Sequence, residues 1–129
     1  MSVRKRIDPG WTWDDNFNMS QAIEIGNAIY VSGQVAMDPS GNVVGAGDMK
    51  AQTRQVLQNV KTVLEAAGAS MEDVVKITVY ITDISLLRET HEVRAEFFPD
   101  PPPASTGIEV SALAFPGLLI EIEAIAVKS

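Results

Sequence analysis

The side chains of this sequence that could do chemistry are few, and two carboxylates near the C-terminus stand out. In residues 120–126, Ile120, Ile122, Ala124 and Ala126 alternate with Glu121 and Glu123. Successive side chains of a strand point to opposite faces, so the apolar set faces a core and both carboxylates leave it together. Upstream, Ala104, Thr106, Ile108 and Val110 alternate with Ser105, Gly107, Glu109 and Ser111. Both runs pair an apolar face with a small, polar, acidic one. One reading is an antiparallel sheet with one solvated side. The other starts from Ser105, Gly107 and Ser111, which are poor strand formers. Small residues beside carboxylates leave room for a ligand or a neighbouring chain, and carboxylates with shifted proton affinity concentrate in such clefts.

The remaining inventory excludes more than it offers. The chain has no cysteine, hence no disulfide, thiolate nucleophile or cysteine-based metal site. Its one histidine, His91, rules out a multi-histidine metal site, and no cofactor is implied. Ser105 has no base at a recognisable spacing, which argues against a Ser-His-acid hydrolase. A net charge of -7 opposes binding to a phosphate backbone, where clustered Lys and Arg supply most of the affinity. The one basic cluster, Arg4, Lys5 and Arg6, reads as a frayed, solvated start. The N-terminal charges precede no apolar run, and the most apolar C-terminal stretch is broken by Pro116, Gly117 and Glu121. Neither a secretory signal nor a membrane span is expected, and a cytoplasmic protein is the default.

The elements that must position these residues follow from periodicity. At 129 residues, with 46% hydrophobic and 21% charged residues, a single domain spanning 1–129 with one core is expected. Residues 1–19 show no period and read as an irregular arm with room for a short strand, Trp11 and Trp13 serving as packing residues. Two strand-like runs, 22–25 and 28–32, flank Gly26-Asn27, which suits a two-residue hairpin turn. Asp38-Pro39-Ser40-Gly41 is a turn. Asp48 caps a long helix whose apolar stripe is Val56, Leu57, Val60, Val63, Leu64 and Ala67, with Gly68 as its stop. The opposite face, with Gln52, Gln55, Asn59 and Lys61, reads as solvated. Val75, Ile77, Val79 and Ile81 alternate with Lys76, Thr78, Tyr80 and Thr82 in a half-polar strand. Ser85 is the expected cap of a second helix with a stripe of Leu86, Leu87, Thr90, Val93, Phe97 and Phe98, ended by Pro99. His91 lies beside that stripe, one turn from Leu87 and Ala95, with Arg94 one turn further on. Pro101-Pro102-Pro103 reads as a stiff extended lead-in, and Phe115-Pro116-Gly117 as the bend joining the two C-terminal strands. The order predicts an α+β sandwich, two helices on one face of a mixed sheet, whose polar other face is explained by self-association in a symmetric ring.

Several motifs in this order resemble the RidA/YjgF family of small trimeric proteins, also known as the endoribonuclease L-PSP family. They are Ser20-Gln21-Ala22, Ile29-Tyr30-Val31-Ser32-Gly33-Gln34, the helix ending Glu65-Ala66-Ala67-Gly68, Val74-Val75-Lys76, Phe97-Phe98, Pro103-Ala104 and Glu121-Ile122-Glu123-Ala124-Ile125-Ala126. The resemblance covers most of the chain. It implies a chorismate-mutase-like fold, a homotrimer whose sheets pack into a barrel, and a small-molecule ligand at each subunit cleft. It also implies a catalytic Glu121 associated with the water that attacks C=N, and ligand contacts from Ser32, Gly33 and Gln34, with Gly107 beside them.

Three positions depart from the family pattern at the pocket. Ser105 stands where an Arg holds the substrate carboxylate, Met19 where Tyr is frequent and His91 where Asn is common. A guanidinium binds a carboxylate through two charge-assisted hydrogen bonds, whereas Ser offers one neutral donor. The expected substrate is therefore an imine, enamine or related C=N compound other than the usual 2-imino acid, unless Arg94 approaches the cleft as a substitute cation. A non-catalytic trimer that binds a metabolite or regulates a partner is the competing expectation. Ribonuclease activity is disfavoured by the acidic charge.

Overall fold

The computed structural model describes residues 3–129. In chain order its elements are β1 (Lys5–Ile7), β2 (Ala22–Ile25), β3 (Ala28–Val35), α1 (Met49–Ala66), β4 (Val74–Ile81), α2 (Leu87–Phe97), β5 (Ala104–Glu109) and β6 (Ile120–Val127). The strands form one sheet in the order β1-β2-β3-β6-β4-β5. Every pairing is antiparallel except β4 with β5. β3 and β4 therefore run the same way with β6 between them, and α1 and α2 are the crossovers that parallel strands require. The fold is α+β, as the element order predicts.

The core lies between α1 and the sheet. Val56, Leu57, Val60, Val63 and Leu64 of α1 are wholly inaccessible, as are Ile29, Ile77, Val79, Ile120 and Ile122 of the sheet. Asp48 caps α1 as expected, its side chain accepting from the Ala51 N–H at 3.0 Å. The β2–β3 hairpin turns on Gly26, whose φ of 59° is the left-handed backbone that a two-residue loop needs. Among the described residues no helix is long and apolar enough to cross a membrane.

Five expectations are corrected. The basic cluster is not a frayed start from Lys5 onward, because Lys5 and Arg6 pair with Glu24 and Ile23 in β1. The second helix is entered through a 3-10 turn at Ile84–Leu86 capped by Asp83, whose carboxylate accepts from the Ser85 N–H at 3.0 Å; Ser85 is the capped residue. Val75 leaves the alternation, because a register shift between Val74 and Lys76 turns it out to solvent. The strands flanking the Phe-Pro-Gly bend are not neighbours: β4 separates β5 from β6, and β5 is exposed along its length at the sheet edge. The polar face of α1 is solvated only in part: Lys61 is exposed and Gln55 partly so, but two of its amides are buried. Gln52 is 0% exposed and Asn59 5%.

These two amides replace missing strand partners. Gln52 donates to the Gly117 carbonyl at 2.8 Å and accepts from the Leu119 N–H at 2.8 Å, pinning the loop before β6. Asn59 donates to the carbonyls of Val35 and Met37 at 3.0 and 2.9 Å. Buried backbone groups without partners are costly, so the amides hold the chain where the sheet ends. Gln52→Ala should cost about 2–4 kcal/mol, two hydrogen bonds plus the desolvated groups left behind. The check is a lower urea midpoint with an unchanged m-value.

Candidate functional site

Glu121 lies in β6 between Val35 of β3 and Tyr80 of β4. Next to it β3 carries a bulge: Val31 faces Ala124 and Gln34 faces Ile122, so Ser32 and Gly33 together occupy one residue's length of the partner strand. The extra residue lets Gln34 and Val35 both turn inward, where they are 2% and 8% exposed. It also brings the Glu121 side chain across the Gly33 backbone. A Cβ at position 33 would collide with the carboxylate oxygen and sit 2.7 Å from the carboxyl carbon, so only glycine admits this placement.

The bulge is anchored from below by buried amides. The Ser32 N–H donates to the Gln21 carbonyl at 2.9 Å and the Ser32 hydroxyl to the Ser20 carbonyl at 2.6 Å. The Gln34 amide donates to the Gln21 side chain at 2.8 Å, and Gln21 donates to the Asp14 carboxylate at 2.6 Å. The Gln34 side chain is thus committed to the interior, the Ser32 hydroxyl is held by Ser20, and Gly33 is the part of the motif that Glu121 lies against.

The two carboxylates of β6 differ in what they touch. Glu123 accepts a hydrogen bond from the Tyr80 hydroxyl at 2.6 Å, and this bond is the main reason the Tyr80 pKa is raised. Glu121 takes part in none of the side-chain hydrogen bonds or ion pairs found among the described residues. Desolvation in its half-buried position, with the negative charge of Glu123 adding to it, pushes its pKa above the usual carboxylate range. A free, half-buried carboxylate of raised basicity is suited to hold a water and take its proton.

A second cluster forms on the other face of the sheet. Ser105 and Gly107 of β5 pair with the core-facing Ile77 and Val79 of β4, and therefore point toward the helices. Leu87 of α2 lies 3.3 Å from where a Cβ of Gly107 would sit. Gly107 thus makes room for the helix. Arg94 of α2 donates from Nη2 to the Ser105 hydroxyl at 2.9 Å. Its guanidinium is half-buried, which lowers its pKa by desolvation, and among the described residues no carboxylate pairs with it. It stands on the wall of a concavity of about 390 Å³ that His91, Ala95, Phe98 and Pro103 also line. The strand position that carries a serine thus lies against a guanidinium of the helix.

Met19 lies apart from this cluster. With Ser32, Arg4 and Arg6 it lines a hollow of about 410 Å³, and its carbonyl accepts from Arg6 Nη2 at 3.2 Å. The candidate residues fall into two groups within one chain: Met19, Ser32, Gly33 and Glu121 around the bulge, and His91, Arg94, Ser105 and Gly107 around α2 and β5. Arg6 was not legible as part of the first group, because only its pairing in β1 brings it there. Among the described residues, no group of three or more His, Asp or Glu is placed to hold a metal.

Comparison with known proteins agrees with this framework. The endoribonuclease L-PSP family profile matches residues 15–128. The RutC family protein of Pyrococcus horikoshii is 50% identical over 109 residues, covering 84% of this chain and 86% of that protein. The 2-iminobutanoate/2-iminopropanoate deaminase of Dermatophagoides farinae is 37% identical over 108 residues, covering 84% of each. The crystal structure of RidA from an Antarctic Psychrobacter superposes with a TM-score of 0.81 at 39% identity, covering 86% of this chain and 89% of that one. The two-helix, six-stranded architecture is accordingly the chorismate-mutase-like fold that the motifs implied. The chain belongs to the RidA/YjgF family, the family of the endoribonuclease L-PSP profile.

Proposed function

We propose that the protein is a cofactor-free hydrolase of imines or enamines, acting in clefts between the chains of a homotrimer, with Glu121 as the base that activates water. The observation that carries this reading is the free Glu121 carboxylate laid over Gly33, half-buried and raised in basicity. The water oxygen bonds to the carbon of C=N as Glu121 takes its proton, and the π electrons move to nitrogen. Protonation of nitrogen and collapse of the carbinolamine release ammonia and leave a carbonyl. An iminobutanoate deaminase 37% identical to this chain supports the same chemistry. The net charge of -7 speaks against ribonucleolysis, and the reading includes neither a nucleic-acid nor a membrane partner.

The trimer enters this reading because one chain holds the two clusters on opposite faces of its sheet. Only a second copy can place the α2–β5 edge against the bulge. An all-exposed edge strand and the exposed Tyr30, Val75 and Ile108 supply surface for that contact. A trimeric mass by light scattering is the expected result; a monomer would separate the two halves of the site. The non-catalytic alternative rested on Ser105 as a missing cation; the guanidinium bonded to Ser105 favours the catalytic reading over it.

The direct test generates imines in situ with an amino-acid oxidase and follows carbonyl release against the spontaneous rate. Acceleration for at least one imine is expected; none across aliphatic and aromatic imines would overturn the reading. Gly33→Ala should displace the Glu121 carboxylate and lower kcat/KM about 100-fold, the scale of a misplaced catalytic group. Its circular dichroism should remain that of the wild type.

A further inference from the structure

We propose that Arg94 is the residue that binds the substrate's carboxylate, and that the concavity beside it selects substrates whose carboxylate is attached to a sizeable apolar group. This rests on the reading above for where the ligand sits, not for whether it is turned over.

A half-buried guanidinium normally finds a carboxylate, because desolvation without a partner is costly. Arg94 instead has the Ser105 hydroxyl at 2.9 Å. Its neighbours on the surface of the fold do pair: Lys50 with Glu92 and Arg54 with Glu96, each at 2.8 Å, bridge α1 to α2. Of the two arginines of α2, Arg88 is exposed, whereas Arg94 is half-buried and turned toward β5. One Nη is held by Ser105, which fixes the plane of the fork and leaves the other donors for a planar anion. An arginine at position 105 would compete with Arg94 for this space and charge, so the serine reads as the companion of a relocated cation.

The rest of the wall describes what accompanies the anion. Ala95, Phe98 and Pro103 are apolar, and about 390 Å³ is more than a methyl-sized side chain needs. His91 precedes Arg94 by three residues and lines the same concavity; among the described residues Asp100 is the one acidic group lining it, and it discourages substrates with a second negative charge. The fitting class is a monocarboxylate 2-imino acid, or its 2-oxo acid product, with an aromatic or branched aliphatic side chain.

Binding of phenylpyruvate, a stable planar 2-oxo acid, is measured by calorimetry on the assembled protein, with its methyl ester and pyruvate as comparisons. The wild type should bind phenylpyruvate more tightly than either. Arg94→Gln should weaken phenylpyruvate about 30-fold or more, the loss of charged hydrogen bonds, and leave the ester unchanged. Arg94→Gln combined with Ser105→Arg should restore binding, which a merely structural role for Arg94 would not permit and which keeps the test decisive should the single variant fold poorly. Equal affinity for acid and ester, or full binding by Arg94→Gln, would overturn the assignment of Arg94. Pyruvate binding as tightly as phenylpyruvate would overturn the size preference. Arg94-dependent binding without hydrolysis of any imine would sustain this inference while removing the hydrolase reading; hydrolysis insensitive to Arg94 would do the reverse.

Discussion

Glu121→Gln should leave the protein folded and assembled and lower imine hydrolysis by about 10²–10⁴-fold, the usual contribution of a positioned base. The amide keeps the shape of the carboxylate over Gly33 but cannot take a proton from water. Ligand binding without turnover should survive, so phenylpyruvate affinity separates loss of chemistry from loss of the pocket. The pH dependence has a defined sign. Burial and Glu123 raise the Glu121 pKa, so activity should rise with pH through a limb above the ordinary carboxylate range. Stability runs the other way: the contribution of this group is fully present below the unfolded carboxylate value and is lost as pH rises through the raised folded value. Glu121→Gln should therefore melt higher than wild type near neutrality, and the difference should vanish in acid. A variant that retains wild-type turnover would remove Glu121 from the mechanism; one that melts lower at neutral pH would overturn its raised proton affinity.

Mixing two inactive variants should restore activity. If each cleft takes Glu121 from one chain and Arg94 from its neighbour, Glu121→Gln and Arg94→Gln chains co-assembled at equal ratio leave about a quarter of the clefts with both groups intact, by the statistics of a closed ring. Turnover with an aromatic imine should climb from the low level of either parent to about a quarter of wild type. The basis is the pairing register: Ser105, beside Ile77, faces the helices, whereas Glu121, beside Tyr80, faces away from them. Activity no higher than the average of the two parents would mean that one chain supplies both groups, and the composite cleft would fail.

Local chemistry was legible in the sequence wherever a residue's environment depends on its near neighbours. The alternation of Ile120, Ile122, Ala124 and Ala126 with Glu121 and Glu123 placed both carboxylates outside the core, because strand side chains alternate regardless of which strands lie alongside. Asp48 and Gly68 bounded α1 for the same reason, since caps are satisfied within one turn. Partners distant in the chain were not legible. Gln52 looks like a surface residue on a helical wheel, yet its bonds reach Gly117 and Leu119, more than sixty residues away. Both carboxylates of β6 look alike in sequence; only the neighbouring strands show that Tyr80 occupies Glu123 and that the bulge at Ser32-Gly33 leaves Glu121 free over a glycine. Arg94 could be suspected from its turn on α2, but its hydrogen bond to Ser105 exists because β4 and β5 run parallel and α2 returns across them. A polar side chain takes its role from whichever group the fold brings within about 3 Å, and periodicity carries no information about that group.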